Sequence, residues 1–130
     1  MKKLVLTLFA IGMLFTACKN ETKADIEMVS PVQVYEAVYG EDSLQLIDVR
    51  TAEEYSVSHL KNAQNICVTD DDFRDKVAVL DKNKPVYVYC KSGNRSGKAA
   101  KILKEMGFEK VYDLQGGISS WEANDLETIN

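Results

Sequence analysis

Cys90 follows an apolar run at 85–89 and opens the loop Cys90-Lys91-Ser92-Gly93-Asn94-Arg95-Ser96, which sets a nucleophile, a glycine and two cations side by side. Successive N–H groups of such a loop can turn inward and form an anion-binding nest. Gly93 permits a backbone conformation that other residues resist. A helix starting near Arg95 or Ser96 adds partial positive charge at its N-terminus, and Lys91 and Arg95 add full charges. A thiol in that setting gives up its proton more readily than a free cysteine, which is the requirement for nucleophilic catalysis. The bland alternative is an inert buried cysteine, the usual fate of the residue type, with Lys91 and Arg95 as solvated loop charges. The loop favours the reactive reading. Lys91 and Arg95 are then expected to hold an anion, while Ser92 and Asn94 act mainly through their backbone amides.

The elements that must position this loop alternate in type. Ser30-Pro31-Val32-Gln33 carries a helix start: a cap, a proline at the first helical position and a glutamine that closes a capping box. Gly40 ends that helix. Residues 44–49 read as a strand, and Thr51-Ala52-Glu53-Glu54 is a second capping box opening a short helix towards His59. Residues 63–68 are a short strand candidate. From Thr69 or Asp70, Phe73, Val77 and Leu80 share a helical face behind three acids. Residues 85–89 have the apolar, β-rich character of a buried parallel strand. Ala99, Ile102, Leu103 and Met106 repeat at helical spacing, and Gly107 stops that helix. Residues 110–114 form the last strand, and a short helix at 118–123 follows Gly116-Gly117. This alternation predicts an α/β domain with a mainly parallel sheet, whose ligands bind beyond the carboxyl ends of the strands.

The chain has 130 residues, 45% hydrophobic and 28% charged, which fits one globular domain plus an extension. Its net charge of −4 and the lack of a basic stripe argue against nucleic acid as a partner. Met1-Lys2-Lys3 is a basic head, and residues 4–17 are a near-continuous apolar run, too short for a bilayer-spanning helix. Residues 1–17 therefore read as a secretory signal. Phe15-Thr16-Ala17-Cys18 resembles the lipobox of bacterial lipoproteins, although Phe15 stands where a smaller aliphatic residue is usual. The resemblance implies cleavage before a lipidated Cys18, hence a protein exported to the cell envelope or periplasm and held at a membrane. Residues 18–27 are expected to be the lipidated cysteine and its tether, and residues 28–130 the folded domain. Export places Cys67 and Cys90 where disulfides can persist, but two thiols do not make a disulfide scaffold. Nothing in the sequence signals an oligomeric state.

Cys-x-x-Gly-x-Arg-Ser after an apolar strand resembles the active-site loop of the rhodanese family. Leu46-Ile47-Asp48-Val49-Arg50 with Glu53 and Tyr55 is similar to the family's first signature, and His59-Leu60 with Ala63 and Asn65-Ile66 to its next element. Leu114-x-Gly116-Gly117 with Trp121 is similar to its C-terminal signature. Cys67 departs from the pattern, since many relatives have proline there. The resemblance implies a rhodanese-like α/β fold with helices on both faces of the sheet. It also implies a sulfurtransferase in which Cys90 carries a persulfide taken from a small anionic donor such as thiosulfate and passed to cyanide or a thiol. Lys91, Ser92, Gly93, Asn94, Arg95, Ser96 and Arg50 are then the expected substrate-binding residues, and no metal or organic cofactor is required. Four residues lie between Cys90 and Arg95; relatives acting on phosphate or arsenate carry one more, which disfavours a cysteine-dependent phosphatase. A non-catalytic sulfur carrier or binding module is the remaining alternative.

Asp48 is expected in a structural pair, and Arg50 either at the pocket rim or paired with Glu53. The family resemblance makes His59 structural rather than a general base, and Trp121 a packing residue. In the family's strand order one strand separates Cys67 from Cys90. Their Cα atoms then stand roughly 10 Å apart, beyond the reach of a disulfide, so Cys67 is expected as a core or rim cysteine rather than a resolving thiol.

Overall fold

The computed structural model describes residues 26–40 and 44–130. The expected signal (1–17), Cys18 and most of the expected tether lie outside the described residues. Strands β1 (Ile26–Val29), β2 (Gln45–Asp48), β3 (Gln64–Asn65), β4 (Val86–Tyr89) and β5 (Val111–Leu114) form one parallel sheet in the order β1-β5-β4-β2-β3. Helices α1 (Pro31–Gly40), α2 (Ala52–Val57), α3 (Phe73–Val77), α4 (Asn94–Glu105) and α5 (Gly117–Ala123) connect and cover it. No helix among the described residues is long and apolar enough to cross a membrane.

The strands alternate between two cores, as the pleat requires. Ile47, Val49, Val86, Val88, Cys90 and Val111 pack with Phe73 and Val77 of α3 and Ala99, Ala100 and Leu103 of α4. Leu46, Tyr89 and Leu114 pack on the other face with Val34 and Val38 of α1 and Ile118 and Trp121 of α5. Burial on both faces is why residues 85–89 read as one apolar run, and the expected α/β layering with helices on both faces is present.

The first capping box closes in full, and the second keeps its N-cap bond without the reciprocal one from the Thr51 amide. Ser30 Oγ accepts from the Gln33 amide at 3.2 Å and Gln33 Oε1 accepts from the Ser30 amide at 2.8 Å; Thr51 Oγ1 accepts from the Glu54 amide at 3.3 Å. Trp121 is fully buried, and its Nε1 donates to the Glu127 carbonyl at 2.9 Å, so it packs under α5 and also ties down the C-terminal segment.

Most boundaries shift by a residue or two, and three departures bear on the fold. The sheet begins at Ile26, so Ile26 and Glu27 belong to β1 rather than to a tether ending at residue 27. An edge strand with exposed Glu27 and Met28 lacks the apolar alternation that marks a strand in sequence. The strand expected at 63–68 shrinks to Gln64–Asn65, although the Ile66 and Val68 amides still donate to the Asp48 and Val49 carbonyls at 2.9 and 3.1 Å. The helix expected from Thr69 or Asp70 starts at Phe73, because residues 70–73 form a turn in which the Phe73 amide donates to the Asp70 carbonyl.

Candidate active site

β4 ends at Tyr89 and α4 begins at Asn94, so the loop between them delivers Cys90 to the carboxyl end of a central strand and turns straight into a helix N-terminus. Gly93 makes that turn at φ +118°, a conformation that costs little only for glycine. The turn aims the Gly93 amide at Cys90 Sγ, to which it donates at 3.0 Å. Ser96 is fully buried with its Oγ 3.5 Å from Cys90 Sγ, and its hydroxyl donates to the Gly93 carbonyl at 3.1 Å.

Burial raises the Cys90 pKa, but hydrogen bonding with the Ser96 side chain and from the amides of Ser96, Gly93 and Ser92 outweighs it. The thiol ends below its ordinary value. The side chain is almost completely covered, at 1% exposure, while the amides point at it. The amides of Ser92, Gly93 and Ser96 thus converge on the buried sulfur.

Packing of α5 fixes the far wall of the loop. The Ile118 and Ser119 amides donate to the Cys90 and Lys91 carbonyls at 2.9 and 3.1 Å. A Cβ on Gly117 would lie 2.4 Å from the Cys90 carbonyl oxygen and 2.5 Å from that of Lys91, and its φ is +61°. Gly117 is therefore the residue that lets the first turn of α5 close on the backbone of Cys90 and Lys91. The Gly-Gly pair was visible in the sequence, but this contact with Cys90 was not.

The charged residues are mostly engaged. Arg95 donates to both Glu54 oxygens, at 2.6 and 3.0 Å, joining α4 to α2. That hydrogen bonding holds the Glu54 carboxyl down at about 2 and raises the Arg95 pKa. Glu54 is the site residue that sequence reasoning missed as a partner; its only sequence signal was its place in a capping box. Arg50 pairs with Asp48 rather than Glu53: its Nε donates at 2.9 and 3.1 Å and its Nη2 at 2.6 Å. Nη2 also donates to the Ser58 carbonyl at 2.6 Å, and the guanidinium stands 5.7 Å from the Tyr89 ring centroid. Both members of the pair are buried, and Asn65 Nδ2 donates to the carbonyls of both at 3.1 and 2.9 Å.

Arg50 also reaches the rim of a cavity of about 260 Å³, which it lines with Glu54, Val57, Lys91, Ile118 and Ser119. Lys91, Ser92 and Asn94 are exposed around the loop. Cys67 is free and 7% exposed, lies 3.1 Å from Thr69 Oγ1, and lines a separate cavity of about 320 Å³. β2 separates its strand from that of Cys90. His59 stacks on Tyr55, its Nδ1 is 2.9 Å from the Tyr55 carbonyl, and its backbone pairs with Ile129, all contacts that hold the fold together. Among the described residues no group of acids, histidines and cysteines could hold a metal ion.

Residues 30–124 match the Rhodanese-like domain family. The chain is 34% identical over 99 residues to the thiosulfate sulfurtransferase GlpE of Coxiella burnetii, covering 75% of this chain and 89% of that one. It is 31% identical over 102 residues to the putative sulfur carrier protein YrkF of Bacillus subtilis, covering 78% of this chain and 54% of that one. Several curated relatives are longer, and the chain spans between 32% and 60% of their length. Among solved structures, a rhodanese-related protein from Thermoplasma volcanium superposes with a TM-score of 0.69 at 27% identity, over 79% of this chain and 97% of that one. A cysteine-bearing loop on a five-stranded parallel sheet, matched along nearly the whole described domain, places the chain in the Rhodanese-like domain family.

Proposed function

We propose that this chain transfers sulfane sulfur through a persulfide on Cys90. The thiolate attacks the outer sulfur of thiosulfate, the S–S bond of the donor breaks, and sulfite leaves with the bonding pair. A thiol or cyanide then takes the outer sulfur, and Cys90 leaves as the thiolate. The observation that carries this reading is the Gly93 amide at 3.0 Å from Cys90 Sγ, reinforced by the donors that lower the Cys90 pKa. These groups stabilise negative charge on sulfur without reorganising during the reaction. Lys91 and Arg50, together on the rim of one cavity, attract and orient the anionic donor. Arg95, held by Glu54, sets the loop's exit into α4 and supplies positive field; Ser92, Asn94 and Ser96 act through their amides, and Ser96 also through its hydroxyl. No metal or organic cofactor enters these steps.

Incubation with thiosulfate followed by intact mass measurement tests the proposal. The expected result is a gain of one sulfur atom, lost on adding cyanide and absent in Cys90→Ser. A second reading, a sulfur carrier loaded by a protein partner, is supported by the 31% identity to the putative sulfur carrier protein YrkF. It predicts an unchanged mass with small donors and a gain only from a persulfidated protein. Cys90-dependent hydrolysis of an aryl phosphate would instead support a phosphatase.

We place this activity in the cell envelope, anchored through a lipid on Cys18, on the strength of the basic head, the short apolar run and the Phe15-Thr16-Ala17-Cys18 segment. Cys18→Ala should release the protein from membranes; continued retention would count against the anchor.

A further inference from the structure

The cavity at the mouth of the Cys90 loop measures about 260 Å³. That is close to the lower end of small-molecule pockets, about 300 Å³, and more than cyanide or thiosulfate fills. Part of its lining is apolar: Val57 of α2 is 74% exposed, and Ile118 of α5 is buried. Its charged residues are of two kinds. Arg50 is committed to Asp48, and Glu54 to Arg95, each through an ion pair. Lys91 on the loop and Glu122 on α5 line the same cavity and are exposed. Neither forms an ion pair among the described residues.

Glu122 follows Ile118 by one helical turn, so α5 carries an apolar side chain and a carboxylate on one face. The cavity therefore offers one uncommitted cation, one uncommitted anion and an apolar lining. A simple anion uses only the first of these. A ligand that uses all three carries a carboxylate, an ammonium and a short carbon chain.

We propose that Lys91 and Glu122 are specificity-determining residues that select a small zwitterionic aminothiol, of the cysteine class, as the acceptor of the Cys90 sulfur. The inference rests on the persulfide chemistry proposed above and names its second substrate. Lys91 donates to the acceptor's carboxylate, Glu122 accepts from its ammonium, and its carbon chain lies against Ile118 and Val57. The acceptor reacts as the thiolate, its proton having gone to solvent. Its sulfur bonds to the outer sulfur of the Cys90 persulfide. The bond between that sulfur and Cys90 Sγ breaks, with its electron pair left on Cys90. The product is the acceptor's own persulfide, and no oxidant or reductant is consumed.

The full chain is loaded with thiosulfate and freed of excess donor. It is then mixed with cysteine, with cysteamine, which lacks the carboxylate, or with N-acetylcysteine, which lacks the ammonium. Loss of the added sulfur mass gives a single-turnover rate for each. The thiols differ in intrinsic reactivity, so each is compared with itself across variants. Glu122→Gln should slow discharge by cysteine and cysteamine ~3-fold, the worth of an exposed charge pair, and discharge by N-acetylcysteine much less. Lys91→Met should slow cysteine and N-acetylcysteine more than cysteamine. Equal slowing of all three thiols by either variant, or no slowing of cysteine, overturns the proposal.

Should a variant fail to fold, or should thiosulfate load no sulfur, binding to the wild-type chain decides. S-Methylcysteine keeps both charges and has no free thiol. It should shift the amide NMR signals of Lys91, Ile118 and Glu122, and N-acetyl-S-methylcysteine should shift them less. Signals unmoved by S-methylcysteine, or moved equally by both compounds, overturn the proposal. A chain that discriminates between the two but takes no sulfur from thiosulfate loses the proposed reaction and keeps this site.

Discussion

Glu54 on α2 and Arg95 in the first turn of α4 lie 41 residues apart in sequence and form a two-bond ion pair at 2.6 and 3.0 Å. The pair ties the helix that follows β2 to the end of the Cys90 loop, so the loop is held at its exit as well as by α5. Glu54→Gln should lower stability at neutral pH by on the order of 1 kcal/mol, since the pair is partly exposed. Because the folded Glu54 pKa is depressed, from 4.5 to about 2, its contribution is complete above the unfolded value and disappears as pH falls through about 2. Thermal melts of wild type and variant should therefore differ at pH 7 and converge on acidification. Curves equally far apart across that range would mean the ion pair is not the cause.

Gly93 and Gly117 both sit at positive φ, but only one is crowded. Open space surrounds a Cβ at Gly93, whereas one at Gly117 meets two carbonyl oxygens. Gly93→Ala should cost about 1–2 kcal/mol from backbone strain alone. Gly117→Ala should cost at least about 3 kcal/mol and also weaken sulfur loading, because α5 must retreat from Cys90. Urea denaturation of the two variants checks the order; equal midpoints would contradict it.

Arg50 and Asp48 are a buried pair with further bonds to Ser58 and Asn65. Arg50→Leu leaves the Asp48 charge without a partner and should destabilise the domain by about 3–5 kcal/mol. Asp48→Leu with Arg50→Leu should recover part of that loss while leaving sulfur loading impaired, if Arg50 also serves the cavity rim. Full loading in the double variant would confine the pair to a structural role.

Cys67 and Cys90 are separated by β2, and neither is in a disulfide. Diamide treatment of the reduced protein should give no internal Cys67–Cys90 bond, and Cys67→Ser should change sulfur loading by less than about 2-fold. Peptide mass mapping after oxidation would reveal a crosslink if one forms.

Local chemistry was legible in the sequence. Ser30 with Gln33 and Thr51 with Glu54 announced two helix starts, the 85–89 run announced a strand buried on both sides, and the loop after it announced a thiol among amides. Each signal lies within a few residues of what it specifies. What escaped depends on distant partners or on weak burial. β1 carries Glu27 and Met28 to the solvent at a sheet edge, so its residues look like linker. Nothing near Glu54 points to Arg95. Asp113 reads as an ordinary strand polar residue until the register of β4 and β5 sets it beside Val88 in the buried face. Arg50 chose Asp48 over Glu53 because two residues along one strand end present a carboxylate at guanidinium distance, whereas Glu53 is exposed on the outer side of α2.

All five strands run the same way, and β1 is the first of them. Ile26 is level with Val111 and Val86 at the sheet's amino end, while Cys90 leaves from the opposite end. The amino end of β1 therefore lies at the pole of the sheet opposite the Cys90 loop, about 13 Å of strand away. A domain held from that side would turn the Cys90 loop away from its support.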